Sequence, residues 1–187
     1  MKNFRYLFFI GVLLNINTVK AQDKTETLNW LRNHIDTVVV HYTDDILPYK
    51  MTKTYTFYDD NFVVKTVKDF YKDPNLNGAP AYSKIFYKDL FIANDSIIRN
   101  DIQKDENEGK TFVYTVWAER VYSILGHEEA PLSFWRTFNE PMGLDLFLLQ
   151  KQSLSIEIVR NLYQLATLEG AKEIPKELFS GDELDEY

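Results

Sequence analysis

The chain has 187 residues, with 21 Lys and Arg against 28 Asp and Glu, a formal net charge of −7, and no cysteine. It is long enough for one ordinary domain with a single apolar core. The lack of cysteine excludes disulfides, thiolate chemistry and a lipid-anchored mature N-terminus. The acidic balance argues against nucleic acid and anionic lipid as partners.

In chain order, Lys2 and Arg5 precede the apolar run Tyr6 to Leu14, which Asn15 and Asn17 end. A run of about nine residues is far short of the roughly 20 that span a bilayer, and it matches the apolar region of a secretory signal. Val19 and Ala21 then supply positions −3 and −1 of a cleavage site before Gln22. The reading is a signal peptide over 1–21, export to the periplasm or beyond, and no transmembrane anchor after cleavage. Without Lys2, Arg5 and Lys20 the remainder carries 18 basic against 28 acidic side chains, a net of −10.

Asp23 to Val40 reads as a helix, with Leu28, Leu31, Ile35 and Val38 on one face. The β-branched run Val38-Val39-Val40 favours extended chain at its end. Beyond Pro48, Thr54 to Tyr58 and Phe62 to Val67 flank Asp59-Asp60-Asn61. This is a hairpin signal, with Asn61 suited to a left-handed turn position. Asp73 to Pro80, DPNLNGAP, is a loop. Strands are expected over Tyr82–Tyr87, Asp95–Gln103, Thr111–Ala118, Arg120–Leu125, Leu132–Phe138 and Leu144–Leu149. A second helix is expected over Ser155–Glu169, with Ile158, Leu162 and Leu165 on its apolar stripe, Ser153 or Ser155 as cap and Gly170 just past its end. The tail 180–187, SGDELDEY, is acidic and reads as flexible. Residues 22–179 read as one α+β domain: an N-terminal helix, an antiparallel sheet or partly open barrel of about seven strands, and an amphipathic C-terminal helix.

Motifs for catalysis are sparse. No G-x-G-x-x-G, P-loop or G-x-S-x-G pattern occurs. His41 with Asp44 and Asp45 offers imidazole and carboxylate in one segment, so a carboxylate- or metal-dependent hydrolase is the rival reading. His127-Glu128-Glu129 runs into Ala130-Pro131 and is not a helical zinc motif. No catalytic residue, metal ligand or cofactor is assigned. Lys50, Lys53, Lys65, Lys68 and Lys72 form the densest basic region, interleaved with Asp59, Asp60, Asp69 and Asp73, and read as a mixed solvated face.

Aromatic residues are in excess, with 24 beyond Phe9. Tyr58, Tyr71, Tyr82, Tyr87, Trp117 and Trp135 are the candidate binding aromatics, each weighed against a role in the core. The order helix, antiparallel strands, amphipathic helix, with its C-terminal IVRNLYQLATLEG, resembles uncharacterised small exported bacterial proteins and barrels of the pleckstrin-homology-like type. A lipocalin-like barrel with flanking helices also fits. The function expected is an exported, non-enzymatic binding protein of the cell envelope with a protein partner, the net charge favouring a basic partner surface. A barrel holding a small apolar ligand is a further alternative.

Overall fold

The computed structural model describes residues 23–35, 37–43, 47–104, 111–148, 151–175 and 178. The expected signal, Asp44, Asp45 and the acidic tail lie outside them. The fold is α+β, as the pattern of elements implies.

The first helix, α1 (23–34), buries Leu28 and Leu31, and the backbone turns extended at β1 (Val38–Tyr42), where the β-branched run begins. A six-stranded antiparallel sheet follows, ordered β1-β2-β3-β4-β8-β9, with β2 (Tyr49–Phe57), β3 (Asn61–Phe70), β4 (Ala81–Phe86), β8 (Val121–Leu125) and β9 (Arg136–Phe138). The remaining strands are β5 (Phe91–Ile92), β6 (Gln103–Lys104), β7 (Phe112–Ala118), β10 (Met142–Leu148) and β11 (Lys172–Glu173). They form a three-stranded sheet, β10-β7-β6, and a parallel pair, β11-β5. The sheets do not close into a barrel: the order runs from the β1 edge to the β9 edge.

Alternation along the strands selects the inner face. Val38, Val40, Met51, Tyr55, Phe57, Phe62, Val64 and Ile85 point into one core with Tyr114, Val116, Leu146 and Leu148 from the second sheet. Helix α3 (Gln152–Leu168) completes it with Ile158, Val159, Leu162, Leu165 and Ala166, each almost fully buried. Gly170 follows with φ +81°, a left-handed position that glycine adopts without strain. The core is filled by large side chains, Tyr87, Tyr114 and Phe62 among them.

Four local expectations are corrected. The segment from Asp95 is not a strand but a helix, α2 (Asp95–Asp101). Asn94 caps it, its side chain accepting the Ile97 N–H at 3.1 Å, and Asp95 pairs with Arg99 one turn on and with Arg160 of α3. Capping and the docking of Ile98 outweigh the β-branched Ile97-Ile98 pair. Asn61 is not left-handed: no described residue other than glycine has positive φ. The turn is Asp59-Asp60, closed by Tyr58 N–H to Asn61 O at 2.8 Å, and Asn61 already pairs in β3 opposite Phe86. Neither Ser153 nor Ser155 caps α3. Lys151 takes the cap position without a side-chain bond, and its carbonyl accepts the Leu154 and Ser155 N–H groups. The expected strand Leu132–Phe138 opens instead as a 3-10 turn, Leu132–Phe134, closed by Phe134 N–H to Pro131 O at 2.9 Å and Trp135 N–H to Leu132 O at 3.0 Å, and only Arg136–Phe138 is extended.

Candidate functional site: a cationic and aromatic outer face

The period of two that fills the core sends a second set of side chains to the opposite face of the six-stranded sheet. The register Val63↔Lys84, Lys65↔Tyr82, Lys84↔Tyr122, Tyr82↔Ile124 and Tyr122↔Thr137 places these residues together. Val63, Tyr82 and Trp135 form an apolar cluster of their own there, with Tyr122 and Ile124 packed against it. Trp135 is anchored by its indole N–H, which donates to Ala130 O at 2.9 Å. Phe86 meets Tyr122 edge-on, with ring centres 5.5 Å apart.

Cations cover these rings. Lys84 Nζ lies 4.4 Å from the Trp135 ring centre, Lys65 Nζ 5.9 Å from that of Tyr82, and Lys88 Nζ 5.8 Å from that of Phe86. Arg120 reaches the Tyr122 hydroxyl at 3.5 Å. An ammonium over a ring face is held by the ring quadrupole, and the lysine stems shield the ring from water.

At one end the face opens into a solvent-exposed groove of about 400 Å³ lined by Arg32, Tyr58, Asp59, Asp60, Asn61 and Lys84. Helix α1 delivers Arg32, whose guanidinium donates twice to Phe57 O, at 3.0 and 2.8 Å, and stands 3.8 Å from Asp59. The core residue Tyr87 ties the turn down from beneath: its N–H donates to Asp60 O and its hydroxyl to Tyr58 O at 3.1 Å. Tyr58 is exposed and donates to Glu128 Oε1 at 2.8 Å, a bond that raises the phenol pKa. Asn61 is 9% exposed; its Nδ2 donates to Asp60 Oδ1, while its Oδ1 is buried without a partner. The groove presents donors and acceptors of both charges, an arrangement for holding a polar ligand rather than enclosing an apolar one.

Of the sequence-derived candidates, Tyr58, Tyr82 and Trp135 come together around Lys84. Tyr82 and Trp135 are the buried underlay of the face, and only Tyr58 is open. Tyr87 is wholly in the core. Tyr71 stands apart, half-exposed, its hydroxyl bonded to His41 Nδ1. Trp117 is half-buried on β7 opposite Gly143, where a Cβ would approach the indole to 3.5 Å. Sequence reasoning missed Arg32, Asn61, Lys84, Lys88 and Arg120. A signal for Lys84 and Lys88 was available: each sits two residues from an aromatic of the alternating run Tyr82 to Lys88.

The basic region Lys50 to Lys72 does not form one face. Lys50 pairs with Asp69 at 3.0 Å, Lys65 joins the outer face, and Lys53 and Lys68 stand on the inner side, where Lys68 covers the Tyr49 ring. Among the described residues, no group of three His, Cys, Asp or Glu is placed to hold a metal ion, and no helix is long and apolar enough to cross a membrane. No protein-family model matches the chain, and no curated protein or solved structure is significantly similar to it.

Proposed function

We propose that this chain is an exported, non-enzymatic binding protein of the bacterial cell envelope that engages a protein partner through the outer sheet face. One observation carries the reading: the face of the sheet turned away from the core holds its own aromatic cluster. An antiparallel sheet with one face in the core usually turns polar residues outward. Here the 3-10 turn that leads into β9 and Trp135 also leaves Phe134 73% and Leu132 41% exposed. Exposed apolar residues that border an aromatic cluster mark an interaction surface. Strand β9 is the edge strand on this side of the sheet, and its outer side has no strand partner among the described residues, so its outward backbone groups can bond a partner.

Export rests on the N-terminal segment 1–21. Protein recovered from its native host is expected to begin at Gln22 by mass spectrometry; an intact Met1 in cytosolic protein would end that part of the reading. The binding role is tested by capture from envelope extract with the wild-type chain and with Phe134→Asp. One defined protein retained by the wild type and by Leu76→Asp, a control on an exposed residue of the 73–80 loop, but lost with Phe134→Asp, supports the role. Hydrolytic turnover abolished by His41→Ala in a folded protein would replace it with the rival reading.

A further inference from the structure

We infer that the outer face takes an extended acidic peptide segment, against the basic partner that net charge alone favours; the inference rests on the binding role proposed above and names the chemistry of the partner. Lys65, Lys84, Lys88 and Arg120 form no ion pair among the described residues, although the chain is acidic overall. Lys24, Arg32, Lys50, Arg99, Arg160 and Lys172 do, while Lys53, Lys68, Lys72, Arg136 and Lys151 elsewhere in the described residues form none either, so it is the grouping of the four on one face that matters. The carboxylates that border the face are already engaged. Asp69 is held by Lys50, Glu119 by Lys172, Glu128 by Tyr58, Asp60 by Asn61, and Asp59 stands beside Arg32. Asp89 is buried near Arg120 and Lys88: burial pushes its carboxyl pKa up, and those two cations act against that rise. Lys65 and Lys84 are therefore left for an external anion, while Lys88 and Arg120 share the field of the buried Asp89.

The rings beneath them make the face more than a scatter of lysines. Trp135 holds the Lys84 ammonium at 4.4 Å, and Tyr82 and Phe86 lie at the outer range of a cation–ring contact with Lys65 and Lys88, so part of the side-chain freedom is already lost when a carboxylate arrives. The half-buried Tyr122 and Ile124 and the exposed Phe134 offer apolar contact beside the charges. The free edge of β9 supplies backbone donors and acceptors to an extended chain. A ligand with alternating carboxylate and apolar side chains meets all three. A long polyanion does not, because its charges beyond the face would meet an acidic protein of net charge −7.

The test is fluorescence anisotropy with three labelled peptides: alternating Glu and Val, alternating Lys and Val, and alternating Gln and Val. Oligothymidylate and phosphatidylglycerol vesicles are added as other anions. The Glu peptide is expected to bind best, to weaken at high salt, and to shift the Trp135 indole N–H resonance. Lys65→Glu with Lys84→Glu is expected to weaken it by about tenfold or more. Circular dichroism and melting establish that the variant is folded. Lys50→Glu, outside the four, serves as a second variant whose effect is expected to be small. Preference for the Gln or Lys peptide at the same resonances overturns the acidic partner and leaves the binding role standing. Tighter binding of oligothymidylate or vesicles overturns the peptide. Failure of every probe to bind overturns the inference, and failure of the extract capture as well overturns the binding role.

Discussion

Tyr55 occupies the place of a neighbouring strand at the edge of β10. Its hydroxyl accepts the Phe147 N–H at 2.8 Å and donates to Phe147 O at 3.2 Å. Two residues earlier on the same face of β2, Lys53 Nζ donates to Asp145 O at 2.8 Å. Two side chains thus satisfy backbone groups that would otherwise call for another strand, and the sheets meet without closing.

Removing that hydroxyl is expected to destabilise the fold while leaving its shape unchanged. Tyr55→Phe leaves a buried N–H and a buried carbonyl of Phe147 without this partner. The expected cost is about 1–3 kcal/mol, read as a lowered denaturant midpoint with an unchanged slope.

Lys53 makes stability depend on pH in an unusual direction. Burial is the main cause that lowers its pKa to about 8, Lys68 lowering it further and Asp145 opposing both. The folded state therefore binds fewer protons than the unfolded one between about pH 8 and 10.5, and stability rises with pH across that window. Below it the cost of the buried charge is fully present. The rise is expected to be on the order of 2–4 kcal/mol and to vanish in Lys53→Met, as followed by urea unfolding at successive pH values.

Buried tyrosines reverse the trend at higher pH. Burial raises the phenol pKa of Tyr55, Tyr87 and Tyr163, and pushes Tyr114 up to about 12. These groups keep their protons when folded and lose them near pH 10 when unfolded, so stability falls as pH rises past 10. A maximum near pH 10 is expected. A monotonic decline from neutral pH would contradict the assignment for Lys53.

Leu162 lies at the centre of the buried stripe of α3 and is 1% exposed. Leu162→Ala is expected to cost about 2–5 kcal/mol by opening a cavity. A negligible change in melting temperature would mean that α3 is not packed on the core.

Gly170 tests a backbone effect in isolation. Its φ is +81°, and an added Cβ would meet nothing within 4 Å. Gly170→Ala is therefore expected to destabilise by about 1–2 kcal/mol through conformation alone. Gly78→Ala, at a site equally open and without positive φ, serves as the control in thermal melts.

The sequence by itself determined the elements whose pattern is long and regular. The 3- and 4-residue spacing of Ile158, Leu162 and Leu165 marks α3, the alternation around Phe112 to Ala118 marks β7, and Gly170 marks a helix end, because each signal lies within one element. Where local signals compete, tertiary contacts decided. Asp95 to Asp101 is helical because Asn94 caps it and Arg160, 65 residues away, holds Asp95.

The candidate site was legible only in part, for a related reason. Alternation tells which residues share a face, but not which face of the sheet the helices will cover. Tyr82, Tyr87 and Trp135 all read as strand aromatics, yet Tyr87 went to the core while Tyr82 and Trp135 became the underlay of the outer face. Pairing across β3, β4 and β8 set Lys65, Lys84 and Tyr122 side by side, and the same pairing divided the basic run so that Lys53 was buried. Net charge is a property of composition. Which cations stand without a carboxylate is a property of register, and only the folded sheet sets it.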